Sequence, residues 1–144
     1  MRTQDISRTD GGLGHTVTDS GVAFAAMLTD PRSAWYQDLS DKTVLELGCG
    51  PGLTGLAVAA AFPQASVYMT DCNPAILRNL RRTVADQGLD NVVVSELDWH
   101  DALDPSSSRA LPLLGGEGQG ASKTPDLIVA SGKVLMYVCT YACM

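Results

Sequence analysis

The sequence predicts a single α/β domain with a doubly wound, mostly parallel sheet, and two patterns support this fold class. Short, apolar, β-prone segments alternate with helical segments, as they do in βαβ units with right-handed crossovers. The first predicted strand runs into a glycine-rich turn, LELGCGPGLTG at Leu45–Gly55, which leads into a helix. Because ligands bind beyond the carboxyl ends of the strands in such sheets, this turn marks the expected site.

The N-terminal part of the chain is predicted to hold an arm and a helix. Residues 1–16 are polar and glycine-rich, and we expect them to form a flexible arm. Apolar residues at helical spacing then predict a helix over Ser20–Leu28. Asp19 or Ser20 is the expected N-cap, and Pro31 is expected to end the helix.

Strands and helices alternate in the middle of the chain. Four apolar segments are predicted as strands: Thr43–Leu47, Ser66–Asp71, Asn91–Leu97 and Asp126–Ser131. A helix is expected over Leu53–Phe62, ended by Pro63. Another is expected from Pro74 onwards, with Asn73 as its N-cap and Gly88 at its end.

Composition divides the chain into an arm, a core and a tail. Pro, Ser and Gly dominate residues 104–125, which predicts a flexible loop insert within a core over residues 17–131. Residues 132–144 form an atypical tail that is apolar and β-leaning. A four-stranded sheet would leave its fourth strand with an unpaired apolar edge, so Lys133–Tyr141 is a candidate fifth strand that covers this edge.

Charge and composition exclude several classes of function. The 144-residue chain is 45% apolar and 18% charged, which is typical of a globular protein, and its net charge is −6. Sequence-independent DNA binding needs Lys and Arg to neutralise phosphates, so we expect no nucleic-acid partner. No apolar run is long enough to span a bilayer and no signal pattern opens the chain. We therefore expect no membrane partner and a cytoplasmic location.

The spacing of cysteine and histidine argues against a metal site. The four cysteines form no CxxC pair, and the chain has only two histidines. These residues are Cys49, Cys72, Cys139, Cys143, His15 and His100. We expect reduced thiols and no bound metal.

The glycine turn has the features of a ligand-binding loop. Gly48 and Gly50 permit backbone conformations that other residues avoid, and they let a ligand approach the main chain. Gly52 lets the loop turn into the helix, whose N-terminus attracts polar or anionic groups. The loop lacks the Gly-Lys-Ser/Thr ending of a P-loop. A GxGxxG fingerprint counted from Gly48 requires glycine where Leu53 stands, which disfavours a nicotinamide-dependent oxidoreductase.

Asp71 is the candidate acidic partner of the loop. It ends the second predicted strand, where a carboxylate can accept hydrogen bonds from both hydroxyls of a ribose. The alternative is that Asp71 caps the following helix. Asn73 already fills that role in the prediction, which leaves Asp71 for a ligand.

Four segments in order carry a resemblance to a known family: LELGCGPGLTGL, MTDCNPAIL, SELDW and PDLIVAS. Together they resemble the class I, seven-β-strand S-adenosylmethionine-dependent methyltransferases, which have a Rossmann-like fold. Within that class the chain is similar to the protein-lysine methyltransferases of the group that includes the elongation factor 2 lysine methyltransferase. The resemblance covers roughly residues 17–131 and implies S-adenosylmethionine as cofactor and a lysine side chain of another protein as substrate.

The resemblance also implies a set of cofactor contacts: Glu46, Gly48, Cys49, Gly50, Gly52, Asp71, Cys72, Asp98, Trp99 and Ala130. Glu46 and the backbone of the glycine turn would face the amino-acid end of the cofactor, and Asp71 would hold the ribose. Cys72 would lie beside the adenine, and Ala130 would lie under the cofactor. Asp98 or Trp99 would contact the adenine, for which an indole offers a flat apolar face. Burial in the core is the alternative for Trp99.

Three positions depart from the family's pattern. Thr18 stands where the family commonly carries a tryptophan near the cofactor. Gly132 stands where an aspartate is expected beside the transferred methyl group, and Lys133 brings positive charge towards a cationic cofactor. Because the expected aspartate is missing, no catalytic residue is assigned.

The leading hypothesis is a methyltransferase of the protein-lysine type. We expect a C-terminally truncated form with weak or no turnover, whose sheet is incomplete on its C-terminal side. Two alternatives stay open: a non-catalytic module that binds S-adenosylmethionine or a partner chain, and a small-molecule methyltransferase.

Overall fold

The computed structural model describes residues 16–99, 124–131 and 136–140. Within these residues the chain forms three helices and five strands. In chain order they are α1 (Asp19–Thr29), β1 (Thr43–Leu47), α2 (Leu53–Ala61), β2 (Ser66–Asp71), α3 (Pro74–Gln87), β3 (Val92–Glu96), β4 (Leu127–Ser131) and β5 (Met136–Thr140). The predicted arm at residues 1–16 lies outside the described residues except for its last residue. The predicted loop insert at residues 104–125 lies outside them except for its last two.

The described strands form one sheet in the order β3-β2-β1-β4-β5. β1 pairs in parallel with β2 and β4, and β2 pairs in parallel with β3. The strand order therefore reverses beside β1, which confirms the predicted α/β fold with a mostly parallel sheet. β5 pairs antiparallel with β4, with Met136 opposite Ser131 and Thr140 opposite Leu127. This pairing confirms that part of Lys133–Tyr141 covers the edge of β4.

The start of α1 differs from the prediction. Thr18 is the N-cap, and its hydroxyl oxygen accepts a hydrogen bond from the Gly21 N–H at 3.2 Å. The predicted caps Asp19 and Ser20 both lie inside the helix, so that prediction was wrong. Thr18, Asp19 and Ser20 all have side chains that can cap a helix, so the sequence alone does not show which of them is the N-cap.

The ends of α3 agree with the prediction. The side chain of Asn73 accepts a hydrogen bond from the Ala75 N–H at 2.9 Å, and Pro74 occupies the first helical position. Gly88 ends the helix in the left-handed conformation, with φ 64°. In the described part of the chain, no helix combines the length and apolarity that a bilayer crossing requires.

The core lies where the central strands meet the helices. Its least exposed apolar side chains include Phe24, Leu28, Val44, Leu45, Val58, Val67, Met69, Leu77, Leu127 and Val129. Val44, Val67, Leu127 and Val129 come from β1, β2 and β4, the three inner strands of the sheet. Because these strands are fixed by buried packing, the loops at their carboxyl ends are attached to a rigid base.

Asn91, directly before β3, joins three parts of the backbone. Its side-chain Nδ2 lies 3.1 Å from the carbonyl oxygens of Ala59, Phe62 and Ala65, so its two N–H groups are shared among three acceptors. Its own carbonyl accepts from the Val67 N–H at 2.9 Å. Carbonyls at the C-terminal end of a helix lack partners within the helix, so Asn91 satisfies groups that would otherwise need water.

Asp126 makes a similar connection at the start of β1. Its Oδ2 accepts from the Thr43 N–H at 2.8 Å, and its own N–H donates to the Thr43 carbonyl at 2.8 Å. Lys42 forms an ion pair with Asp126 at 3.5 Å. Asp126 and Asn91 thus fix the amino ends of the strands, and the glycine turn lies at the opposite, carboxyl ends.

Candidate functional site

The turn between β1 and α2 has an unusual backbone. Three of its residues have positive φ: Gly48 at 64°, Gly50 at 52° and Gly52 at 85°. Side chains of L-amino acids rarely adopt this conformation, which explains why the sequence places glycine at each position. The Cys49 N–H donates to the Thr70 carbonyl at 2.8 Å, so the turn is attached to the end of β2.

Asp71 supports this turn from the end of β2. Its Oδ2 accepts from the Gly50 N–H at 3.0 Å, and its Oδ1 accepts from the Asn73 N–H at 2.9 Å. The prediction that Asn73 caps α3 is confirmed, and the role of Asp71 towards a ligand stays a prediction. Asp71 does not cap α3, but both carboxylate oxygens already accept backbone hydrogen bonds. A carboxylate has about four acceptor positions, so each oxygen keeps capacity for a ligand hydroxyl.

Glu46 is a carboxyl group enclosed beneath the turn. The residue is 1% exposed, and its Oε2 accepts from the Gly55 N–H at 3.0 Å. Its Oε1 accepts no hydrogen bond from the described residues. Burial raises the pKa of Glu46 to about 8 and the Asp71 carboxylate adds to the shift, against opposing effects of the Gly55 amide and the Thr54 hydroxyl. An unsatisfied buried acceptor is costly, which makes it a candidate ligand contact.

Gly55 is a site residue that sequence reasoning missed. A Cβ there would lie 2.6 Å from Glu46 Oε2 and 2.8 Å from Met69 Cε, so only glycine lets α2 approach β1 and β2 this closely. Counted from Gly50 rather than Gly48, the turn reads G-x-G-x-x-G, with its last glycine at this contact. The argument that Leu53 breaks the dinucleotide fingerprint holds only for a count from Gly48, so that argument was wrong.

Trp99 lies over the turn. A Cβ on Gly48 would lie 3.3 Å from a carbon of the indole ring, and the tryptophan is 56% exposed. The segment before it is attached to β2 by the Leu97 N–H, which donates to the Asp71 carbonyl at 3.0 Å. Trp99 is therefore not a core residue, and its exposed ring lies beside the turn.

The remaining predicted residues lie around the same edge of the sheet. Cys49 is buried within the turn, and burial raises the pKa of its thiol well above the usual range. Cys72 and Asp98 are half-buried and follow β2 and β3. Ala130 lies near the end of β4, opposite Leu47 of β1.

The position where the family carries an aspartate beside the transferred methyl group lies outside the described residues. Gly132 and Lys133, which depart from the family's pattern, lie outside the described residues. Among the residues that are described, no group of three or more His, Cys, Asp or Glu side chains is placed to hold a metal ion.

Comparisons with known proteins show similarity in sequence and in fold. Residues 4–113 match the family model described as lysine methyltransferase. The Mus musculus protein-lysine N-methyltransferase EEF2KMT is 36% identical over 103 residues, which cover 63% of this chain and 30% of the mouse protein. The release factor glutamine methyltransferase of Xylella fastidiosa (strain 9a5c) is 42% identical over 64 residues, which cover 44% of this chain and 23% of the bacterial protein.

A solved structure with a similar fold is coclaurine N-methyltransferase bound to N-methylheliamine and SAH. It matches with a TM-score of 0.52 at 20% identity, and the match covers 88% of this chain and 33% of that protein. This likeness shows the fold alone. The matched region is less than a third of either curated relative, at 30% of the mouse protein and 23% of the bacterial one. Because the family model matches most of its residues, the chain belongs to the lysine methyltransferase family.

Proposed function

We propose that this chain binds S-adenosylmethionine at the carboxyl ends of β1 and β2. One observation carries the proposal: Asp71 accepts the Gly50 N–H at 3.0 Å, so the acidic residue and the glycine turn form one unit. In this unit the turn gives a ligand access to the main chain, and the carboxylate can still accept the hydroxyls of a ribose.

The polar groups around the turn fit the other parts of this cofactor. The unpaired Oε1 of Glu46 suits a cationic group, such as the ammonium at the amino-acid end. The exposed ring of Trp99 beside Gly48 suits a flat base, because stacking covers apolar surface on both. We assign to Cys72, Asp98 and Ala130 the cofactor contacts that the resemblance implies.

We further propose that the whole protein transfers the methyl group to a lysine amine of another protein. When bound, the sulfonium of the cofactor would supply an electrophilic methyl carbon to the neutral lysine amine, with the C–S bond broken as the C–N bond forms and the amine proton lost to solvent. The residues described above would bind and orient the cofactor for this displacement. The family and the name of the mouse relative support the lysine substrate, and the release factor relative also acts on a protein by name.

A thermal-shift titration tests cofactor binding. The midpoint of unfolding is expected to rise with the concentration of S-adenosylmethionine and of its demethylated product, because a ligand that binds the native state stabilises it. NAD serves as the comparison ligand and is expected to give no rise. A folded sample that ignores both nucleosides at millimolar concentration would overturn the proposal.

The two tryptophans provide a matched pair of variants for the adenine contact. Trp99→Ala is expected to weaken S-adenosylmethionine binding about five-fold or more, in line with about 1–3 kcal/mol for stacking of a base on an aromatic ring. Trp99→Phe should retain most of the affinity. Trp35, which is 61% exposed and precedes β1, is the control, and Trp35→Ala should bind like the parent chain. Equal affinities for Trp99→Ala and Trp35→Ala would remove Trp99 from the site.

A second candidate function is a module that binds the cofactor without transferring its methyl group. The antiparallel β5 favours it, because this strand occupies the edge of β4 next to the proposed site. A methyl-transfer assay on lysate protein, run with a sample that binds S-adenosylmethionine, separates the two candidates. Labelled product supports the enzyme, and binding without any product supports the module.

A further inference from the structure

We propose that cofactor uptake at this site releases one proton from the Glu46 carboxyl, whose Oε1 then accepts the ammonium group of the ligand. This inference rests on the proposed function and adds a linkage between the cofactor and solution pH. It depends on four features of Glu46: its enclosure, its unequal oxygens, the charges that face it and, among the described elements packed around it, the absence of a cation.

The enclosure of Glu46 leaves its two oxygens in different situations. The side chain is 1% exposed, so water does not stabilise a negative charge there. Oε2 accepts the Gly55 N–H at 3.0 Å, whereas Oε1 accepts nothing from the described residues. The Thr54 hydroxyl lies 3.5 Å from the Gly21 carbonyl, and its hydrogen bonding to the Glu46 carboxyl lowers the pKa of Glu46, against the larger effect of burial. A proton on Oε1 is the simplest way to keep this group neutral without a ligand.

The charged groups around Glu46 work in the same direction. From the end of β2 it faces the Asp71 carboxylate, and from the turn it faces the Cys49 thiol. The helix α2 and the strand β4, which lie on either side, carry no titratable side chain. Asp19, the only titratable residue of α1, is exposed. No cation thus faces the carboxyl from these elements, and burial raises the pKa of Glu46 to about 8.

An arriving ammonium group reverses this balance. The O–H bond of Glu46 breaks, the proton passes to the buffer, and the carboxylate oxygen accepts a hydrogen bond from the ammonium. The positive charge of the arriving ammonium group is thus balanced by the negative charge that the lost proton leaves on Glu46. A charge-assisted hydrogen bond of this kind is stronger than a neutral one, so the ligand stabilises the ionised form of Glu46.

Calorimetric titration of the chain with S-adenosylmethionine measures the released proton directly. Titrations at pH 7 in phosphate and in imidazole differ in heat by the number of protons released times the difference in buffer ionisation enthalpy. Close to one proton per bound ligand is expected, because a carboxyl with a pKa near 8 is mostly protonated at pH 7. The affinity should also rise about tenfold between pH 6 and pH 7.

Two variants assign the proton to its source. Glu46→Gln keeps the size of the side chain but has no carboxyl proton, so it should release close to one proton fewer per bound ligand than the parent chain. The α-amine of the ligand also titrates near pH 8, and its contribution is the same for parent and variant. Subtracting the proton count of the variant from that of the parent therefore leaves the proton released by Glu46. Asp86→Asn removes an exposed carboxylate of α3, away from the turn, and should release as many protons as the parent.

The outcomes separate this inference from the proposed function. Absence of any binding heat and of any thermal shift contradicts the proposed function. Binding whose heat does not depend on the buffer leaves the proposed function in place and overturns the inference. The demethylated product has the ammonium but no sulfonium, so it should release the proton as well. Release with S-adenosylmethionine alone would overturn the assignment to the ammonium group.

Discussion

At the scale of single residues, Asp71 has two tasks that use one carboxylate. It holds the Gly50 and Asn73 amides in the free chain, and in the proposed complex it also accepts the ribose hydroxyls. These tasks are compatible because hydrogen bonds to the amides fix the carboxylate in place before a ligand arrives. The turn is thereby arranged in advance, which lowers the ordering cost of binding.

Replacement of Asp71 should therefore lower both stability and cofactor affinity. Asp71→Ala leaves two buried N–H groups without acceptors, and about 1–3 kcal/mol of unfolding free energy should be lost for each. Asp126→Ala is the matched control, since Asp126 also accepts a backbone N–H but lies at the amino end of β1. Urea unfolding and calorimetric titration should show that both variants lose stability and only Asp71→Ala loses cofactor binding. Unchanged binding by Asp71→Ala would contradict the ribose role.

Glu46 gives the free chain a pH-dependent stability. Its pKa is about 8 in the folded chain against 4.5 as the ordinary value, so the folded state holds one more proton between these pH values. The contribution to stability is full below pH 4.5 and is lost as pH rises through 8, at about 1.4 kcal/mol per pH unit. Glu46→Gln should remove this slope from urea unfolding curves recorded between pH 5 and pH 8. Glu96→Gln, at an exposed position of β3, should leave the slope unchanged.

At the scale of elements, the contact of α2 with β1 and β2 depends on Gly55. Alanine is normally better than glycine inside a helix by about 0.8–1 kcal/mol. At position 55, however, a Cβ meets Glu46 and Met69 below 3.0 Å, and overpacking of this kind typically costs about 1–3 kcal/mol. Gly55→Ala should therefore destabilise the chain in urea unfolding, although it improves helix propensity. A gain in stability would show that the close approach does not exist.

Gly88 is the comparison for Gly55, because its constraint is of the opposite kind. It has φ 64°, but a Cβ there meets nothing within 4 Å. Gly88→Ala should cost only about 1–2 kcal/mol for the left-handed backbone. It should also leave cofactor binding unchanged, whereas Gly55→Ala disturbs the partner of Glu46.

The elements themselves were largely predictable from the sequence. Apolar periodicity, with Asn73 as a helix start and Pro63 and Gly88 as helix ends, predicted α2 and α3. Continuous apolar runs predicted the four parallel strands. The N-cap of α1 was wrong because Thr18, Asp19 and Ser20 all have capping side chains.

The site was predictable in part. Turn chemistry predicted the glycine loop, but the role of Gly55 depends on how closely α2 packs against β2, which sequence spacing does not contain. The double use of Asp71 and the unpaired Oε1 of Glu46 depend in the same way on distances between residues far apart in the chain.

At the scale of the whole molecule, β5 determines how the sheet ends. It pairs with β4 over five residues of each strand, so the backbone groups along that edge of β4 have partners. Shortening the chain to end at Ser131 removes β5 and exposes this edge, which other chains can then extend by strand pairing. Light scattering should show more aggregation and a thermal scan a lower midpoint of unfolding. A chain that ends at Thr140 keeps β5 and should behave like the parent.

Asn91 has a consequence for the order in which the molecule opens. Its side-chain amide contacts the end of α2 and the turn before β2. Its backbone carbonyl, directly before β3, accepts the Val67 N–H of β2. None of these segments can separate from the others without breaking bonds at the same residue. Amide protons along residues 59–67 should therefore exchange with deuterium as one cooperative group. In Asn91→Ala they should divide into faster and slower sets.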